Sequence, residues 1–325
     1  MRAIDIENGK GPADALFFNE NAPIPKVKSG DILVKVKAFG LNRMDLLQRE
    51  GRYPLPPQAP KTLGVEFSGV VEKLSPEVEG FKEDDEVFGL AYGGAYAEYI
   101  SVSAKMCIHK PTELTFEEAA GVPEVWITAI QALFVVGEFK KSQTSGVGIA
   151  AIQLIRHHSP ESIIFATSSS KAKLDFCTKT LGASHGINYR ETDFSKEVLY
   201  LTDGKGVDLI IDFPGQSHFQ KNINSAGMDG RIVLLALLSG GVCREVDIAP
   251  ILFKRLRIEG STLRSRDPEY QGLLRDKFME LAFDALREKK MKLFIEKVFS
   301  WKDIKEAHKM MESNDTMGKI ICVVD

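Results

Sequence analysis

Between residues 163 and 238 the chain alternates unbroken apolar runs with helical stretches, and this alternation restricts the fold more than any other feature. Ile163-Ile164-Phe165-Ala166 precedes a helical stretch from Lys171 to Leu181, which Gly182 closes. Val207 to Phe213 precedes another around residues 216–226, and Arg231 to Leu238 is a further apolar run. A strand with one wet face alternates apolar and polar residues, so a strand without alternation is buried on both faces. Such strands separated by helices form a parallel sheet covered on both sides. An α/β, doubly wound domain is expected here.

The first 110 residues differ. Ile32-Leu33-Val34-Lys35-Val36-Lys37 has the short-period alternation of a half-buried strand, and Val65 to Leu74, Glu86 to Leu90 and Ala95 to Val102 read similarly. The stretch from Tyr53 to Pro60 has too few free N–H donors for regular structure and is expected to be a surface loop. Near residue 112 the texture changes. Thr115 and Glu118 have capping-box spacing, and Trp126 to Val136 reads as an apolar helix. The tail predicts a helix from Pro268 to Glu288, another over Trp301–Glu312 and a strand from Lys319 to Val324. This return to the opening texture predicts a β-rich first domain interrupted by the parallel-sheet domain, and 325 residues suit two domains.

With 44% hydrophobic and 27% charged residues, the chain is too apolar to be disordered as a whole. A formal net charge of −3 gives no general attraction to nucleic acid or anionic lipid. Cys107, Cys177, Cys243 and Cys322 form no CxxC pair and have no histidine at ligand spacing, so neither a metal site nor a disulfide framework is expected. The N-terminus has no secretory or transit pattern and no apolar run approaches about 18 residues, so the expected location is cytoplasmic, without a membrane partner.

Gly146-Val147-Gly148-Ile149-Ala150-Ala151 fits GxGxxA and leads into an apolar helix. Glycines let the backbone approach a pyrophosphate, and a helix N-terminus offers free N–H groups and positive dipole. Such a motif should follow a buried strand. Here Gly137-Glu138-Phe139-Lys140-Lys141-Ser142-Gln143 precedes it, so the first strand of the sheet is missing. Past the next strand, where a carboxylate would bind the 2′-OH of NAD, the chain has Ser168-Ser169-Ser170-Lys171-Ala172-Lys173. Hydroxyls and lysines suit a 2′-phosphate, so NADPH is the expected dinucleotide. A solvated helix start is the plainer alternative.

Gly40-Leu41-Asn42-Arg43-Met44-Asp45-Leu46, Arg49-Glu50-Gly51-Arg52-Tyr53-Pro54, Leu63 to Gly69, Ser145 to Leu154, Leu181-Gly182-Ala183 with Ile187 to Arg190, and Leu263 to Asp267 occur in order along nearly the whole chain. Together they resemble the zinc-free quinone oxidoreductase (zeta-crystallin-like) branch of the medium-chain dehydrogenase/reductase superfamily, and within it the inducible NADPH quinone oxidoreductases of eukaryotes. The resemblance implies a GroES-like catalytic domain at 1–122, completed by 265–325, around a Rossmann domain at 123–264. It also implies a homodimer or homotetramer. Asn42 and Val65 stand where zinc-dependent members carry Cys and His, which implies hydride transfer without a Lewis acid to a quinone or related α,β-unsaturated carbonyl compound.

By the same resemblance Asn42 and Tyr53 line the nicotinamide cleft and Thr128 lies near the carboxamide. Gly146, Val147 and Gly148 face the pyrophosphate. Ser170, Lys173 (or Lys171) and Tyr189 surround the 2′-phosphate. Plainer readings stand beside these: Asn42 as a turn cap, Tyr53 as a ring packed on prolines. Arg264 and Arg266 are open between anion binding and a solvated surface. Against the family, about half a dozen residues before Thr144 are absent, which predicts a destabilised sheet. Either the sequence lacks a segment of the natural protein, or it is a variant or gene-model error, or the domain is truncated and its cofactor binding impaired. The alternative function is then a cofactor-sensing or RNA-binding protein, though the acidic charge argues mildly against RNA.

Overall fold

The computed structural model describes residues 1–140, 145–146 and 148–325. It divides into two compact units, residues 1–127 with 263–325 and residues 128–262.

In the first unit β1 (Ala3–Ile6) and β2 (Leu16–Asn19) form an antiparallel pair. In β3 (Asp31–Gly40) Ile32, Val34, Val36 and Ala38 are buried while Lys35 is exposed, but Leu33 and Phe39 on the other face are buried as well, so the expected alternation holds only in the middle of the strand. α1 (Arg43–Arg49) follows, then β4 (Glu66–Leu74), β5 (Glu86–Leu90), β6 (Tyr99–Ser103) and β7 (Cys107–His109). β3 pairs antiparallel with β4 and also with β6, and two register shifts against β4 bend it. α2 (Phe116–Ala120) opens on the expected cap, with the Thr115 hydroxyl accepting from the Glu118 N–H and the Glu118 carboxylate accepting from the Thr115 N–H. α3 (Pro123–Ile130) runs on through a π-helical segment, Gln131–Val136.

The second unit contains β8 (Ser145–Gly146), α4 (Ile149–His158), β9 (Ile164–Ser168), α5 (Lys171–Asp175), β10 (His185–Asn188), α6 (Phe194–Leu201), β11 (Val207–Asp212), α7 (Phe219–Ser225), β12 (Ala226–Leu234), α8 (Ala249–Phe253) and β13 (Arg257–Gly260). The strands form one parallel sheet in the order β10-β9-β8-β11-β12-β13. Phe165, Ile187, Val207, Ile210, Ile223 and Ile232 share its core, which is why these runs lack polar alternation. The apolar run from Arg231 to Leu238 is only partly strand. β12 starts earlier and stops at Leu234, leaving Leu237 and Leu238 exposed.

The expectation of a missing first strand is corrected in one respect. Its place between β9 and β11 is held by Ser145 and Gly146, which pair with Ile164 and Phe165 on one side and Leu209 and Ile210 on the other. Without a strand there, two inner edges would face each other with unpaired N–H and C=O groups. The start of the glycine turn is drawn into the sheet instead. β8 is still only two residues long, against six in β11.

The tail returns to the first unit. α9 (Pro268–Phe278) is capped by Asp267, whose side chain accepts from the Tyr270 N–H, and continues through Met279–Phe283 into α10 (Asp284–Arg287). β14 (Ile295–Ser300), α11 (Ile304–Glu312) and β15 (Lys319–Val323) complete it, giving a sheet in the order β14-β15-β3-β4-β5-β7.

Candidate active site

The most heavily connected polar group in the first unit lies where β3 ends and α1 begins. Asn42 caps α1, and its N–H donates to Asp45 Oδ2 at 2.8 Å. The Asn42 carboxamide is held from both ends: Nδ2 donates to Glu66 Oε1 at 2.9 Å, and Oδ1 accepts from Lys319 Nζ at 2.9 Å. The Lys319 ammonium also donates to the Leu41 carbonyl at 2.9 Å and pairs with Glu66 at 2.5 Å. Glu66 Oε2 accepts from the Glu124 N–H at 2.9 Å, near the start of α3. One buried carboxylate thus ties β4 to α1, α3 and β15. Gly40 makes room for it, since a Cβ there would stand 2.2 Å from Glu66 Oε1.

Burial pushes the Asp45 carboxyl up to about 6, against the backbone N–H groups of Asn42 and Gly64 and the Arg264 charge, which favour its anion. Gly64 reaches Asp45 Oδ1 at 3.2 Å. It sits at φ +93°, where a Cβ would meet the Tyr96 ring at 2.5 Å. Glu124 is pushed up to about 7, first by burial and then by its neighbours Glu66 and Asp45.

A buried line of hydrogen bonds leads away from Asp45. Tyr96 Oη donates to Asp45 Oδ2 at 3.4 Å, His308 Nε2 is 3.1 Å from Tyr96 Oη, and Arg49 Nη1 is 3.1 Å from His308 Nδ1. A guanidinium only donates, so His308 Nδ1 accepts and the ring proton sits on Nε2, facing Tyr96. Burial and Arg49 press the His308 imidazole down to about 3, so it is neutral. Arg49 continues to Glu312 at 2.5 Å. From Arg49 Nη1 to Asp45 every donor points toward Asp45, while Arg49 Nη2 donates the other way, to Glu312.

Tyr53 follows α1 and is half-buried, with the Arg264 guanidinium carbon 5.4 Å from its ring centroid. Arg264 is only 4% exposed, which settles its open reading against a solvated surface arginine. Its Nε donates to the Tyr92 carbonyl at 2.7 Å and its Nη1 to Gln48 Oε1 at 2.8 Å. Nη2 is buried without a hydrogen-bond partner. Arg266 is half-buried, its guanidinium 4.5 Å from the Tyr270 ring centroid.

The remaining candidates belong to the second unit. Thr128 is half-buried in α3. Gly146 lies in β8, and Val147 lies outside the described residues. Gly148 caps α4 with no side-chain acceptor, and no acidic residue occupies the first turn. At the carboxyl ends of β9 and β10, Ser168 Oγ accepts from the Ser170 N–H at 3.2 Å, and the Ser168 carbonyl accepts from the Tyr189 N–H at 3.2 Å. Ser170 caps α5, Lys173 is half-buried within that helix and Lys171 is exposed. The Tyr189 ring meets His218 edge-on, centroids 4.9 Å apart. Ser170 and Tyr189 are therefore gathered in one place, whereas Asn42 and Tyr53 belong to the first unit.

These groups fit a phosphate-bearing dinucleotide: α4 opens on uncapped N–H groups, and hydroxyls with a lysine follow β9 where a carboxylate would repel a 2′-phosphate. Asp212, at the end of β11, is taken by its own turn, accepting from the Gly215 N–H at 2.7 Å and Asn222 Nδ2 at 2.9 Å. Among the described residues no group of three or more His, Cys, Asp or Glu could hold a metal ion. Burial raises the Cys107 and Cys322 thiols well above their ordinary range, which keeps them protonated.

Profile comparison matches residues 28–112 to the alcohol dehydrogenase GroES-like domain and residues 146–277 to zinc-binding dehydrogenase. A zinc-type alcohol dehydrogenase-like protein of Schizosaccharomyces pombe is 30% identical over 92% of both chains. The quinone oxidoreductase of Rattus norvegicus is 26% identical over 100% of this chain and 98% of its own. Among solved structures, a Pseudomonas syringae quinone oxidoreductase superposes with TM-score 0.85 at 26% identity, covering 99% of each chain. A mycobacterial protein solved in complex with NADPH gives 0.86 at 25%, covering 99% of this chain and 100% of its own.

Proposed function

Because the chain belongs to the quinone oxidoreductase-like branch of the medium-chain dehydrogenase/reductase family, whose members are oxidoreductases, we propose that it reduces quinones or related α,β-unsaturated carbonyl compounds with NADPH. The observation that carries this reading is the corner around Asn42, where the cation in contact is the Lys319 ammonium. Asn42 Oδ1 and Glu66 Oε1 are spent on an ammonium. That donor set supports a zinc-free reaction. The end-to-end likeness to quinone oxidoreductases supports the substrate class, and the mycobacterial neighbour and the groups after β9 support NADPH.

When bound, NADPH supplies the hydride. Gly146, Val147, Gly148 and the first N–H groups of α4 would hold its pyrophosphate. Ser170, Lys173 and Tyr189 would hold the 2′-phosphate, and Thr128 the carboxamide. Both ends of the Asn42 carboxamide are committed, so this residue contributes shape and a fixed dipole to the substrate wall. Tyr53 offers a flat ring face and a hydroxyl donor. A homodimer in the cytoplasm belongs to the same proposal. Ile248, Leu252 and Phe253 on and beside α8 are strongly exposed and apolar, as a partner-facing surface would be.

NADPH fluorescence titration followed by quinone-dependent loss of NADPH absorbance tests the proposal. Saturable binding with turnover is expected, and NADH is expected to be much the weaker donor. Equal use of NADH would overturn the cofactor reading. No oxidation with any quinone or enone would overturn the substrate reading.

A further inference from the structure

Asp45 is fully buried, and among the described residues every hydrogen bond to its carboxylate comes from a donor: the N–H groups of Asn42 and Gly64 and the Tyr96 hydroxyl. The Tyr96 ring is clamped, stacked on Phe39 with centroids 4.3 Å apart and pressed against Gly64. Of the charges that face Asp45, Arg264 and Lys319 favour its anion, while Glu124, whose own carboxyl Asp45 pushes up, opposes it. A proton added to Asp45 would make a new O–H donor, which needs an acceptor. Of its three partners only Tyr96 Oη has lone pairs, and to accept there Tyr96 must turn its own hydrogen elsewhere. The other side-chain group bonded to Tyr96 Oη is His308 Nε2, which already carries a proton because Arg49 Nη1 donates to Nδ1. Arg49 has no acceptor to offer, and its remaining nitrogens are spent on the Gly11 carbonyl, Glu50 and Glu312. Each way of placing a proton on Asp45 is thus closed from the Arg49 end.

We propose that Arg49, His308 and Tyr96 are positioning residues, a one-way line of donors that holds Asp45 as the anion to which the Asn42 and Gly64 N–H groups are anchored. Glu66 and Lys319 fix the Asn42 carboxamide and Asp45 fixes its backbone, so both halves of this residue are set. The line starts far from that corner, on α11, where Glu312 meets solvent and binds Arg49. Hydrogen bonds to a carboxylate favour its charged form, so loss of the Tyr96 donor, or of the block on its rotation, lets Asp45 take its proton at higher pH. The protonated acid holds the two N–H groups more weakly than the anion does. The effect on turnover rests on the reading of Asn42 as a wall of the reaction site, whereas the state of Asp45 rests on this unit alone.

The test is a magnetic-resonance titration of the full-length protein, carbon-labelled at the aspartate carboxyls and nitrogen-labelled in the histidine rings, with no cofactor or substrate added. Asp45→Asn identifies the Asp45 signal, whose midpoint is expected near about 6 in wild type. The His308 ring is expected to be neutral, with its proton on Nε2. His308→Leu removes the block and Tyr96→Phe removes the donor, so each is expected to move the Asp45 midpoint up by about one pH unit. His308→Gln is expected to leave it in place, because a carboxamide accepts from Arg49 and donates to Tyr96. Tyr96→Phe is expected to keep the His308 proton on Nε2, because Arg49 sets it. An unmoved midpoint in His308→Leu or in Tyr96→Phe, a rise in His308→Gln as large as in His308→Leu, or a His308 proton on Nδ1 would overturn the proposal. If His308→Leu does not fold, Tyr96→Phe decides: a raised midpoint with the tautomer kept supports the proposal, and failure of either overturns it. The acid limb of quinone turnover, read as kcat/KM against pH, is expected to move with the Asp45 midpoint. A limb that stays in place while the midpoint moves would contradict the reading of Asn42 as a wall of the reaction site and leave the positioning of Asp45 standing.

Discussion

At the residue scale, the sharpest division of labour is between Asn42 and Tyr53. The Asn42 carboxamide is locked between Glu66 and Lys319, while Tyr53 is half-buried with its ring beside Arg264. Tyr53→Ala is therefore expected to lower quinone turnover by one or more orders of magnitude, with NADPH affinity nearly unchanged, and Tyr53→Phe to lose less because the ring face remains. Full turnover by Tyr53→Ala with several quinones would reduce Tyr53 to loop packing. On the cofactor side, Lys173→Glu is expected to weaken NADPH far more than NADH in parallel titrations, and equal weakening would remove Lys173 from the 2′-phosphate site. Glu124 makes a pH prediction. Its carboxyl, pushed up to about 7 in the folded state, binds its proton more tightly there than when unfolded. Stability is therefore fully present at pH 4 and below, falls as pH rises to about 7, and is level above that. Glu124→Gln is expected to flatten this fall and gain about 1–3 kcal/mol over wild type at pH 8, with no gain at pH 4. Unfolding at the two pH values checks it. The cap behind Asn42 was legible, because Asn42 and Asp45 have the spacing of one. The Arg49–Tyr96–His308 line was not, since it joins α1, the segment before β6 and α11 through contacts that no local pattern encodes. Lys319 and Arg264 look like surface cations in the sequence, and only tertiary packing buries them.

At the element scale, β8 is the weak member. Two residues fill the centre of the parallel sheet between strands of five and six. The polar stretch before the glycines announced this, because Lys140 to Thr144 has nothing to bury. What the pattern could not tell was that Ser145 and Gly146 would be recruited as strand, since the need comes from the unpaired edges of β9 and β11 rather than from the turn itself. Inserting an apolar, β-branched tetrapeptide between Gln143 and Thr144 is expected to raise the unfolding temperature of the second unit by several degrees, since each such buried side chain contributes about 1.5–3 kcal/mol. An unchanged or lower midpoint would mean that the two-residue strand already satisfies the sheet. The long unbroken runs are buried parallel strands, as their lack of alternation predicts, and the early end of β12 has the same origin. Leu235 to Leu238 are as apolar as a strand, but β12 ends where its register with β11 and β13 ends, at Leu234.

At the scale of the whole molecule, the chain combines a unit rich in buried charge with a parallel-sheet unit in which serines and lysines, within Ser168 to Lys173, run from the end of β9 into α5. The discontinuous first unit was visible in the texture of the tail, which supplies β14 and β15 to the sheet begun by β3. The central claim is that one chain couples NADPH oxidation to reduction of a quinone. The most direct measurement follows NADPH absorbance in the presence of the purified full-length protein, with and without a quinone, after titration has shown how much NADPH is bound. The expected result is saturable NADPH binding and an absorbance loss that requires both protein and quinone, with one NADPH consumed per hydroquinone formed. Saturable binding with no quinone-dependent loss would contradict the claim and leave a protein that holds the cofactor without using it.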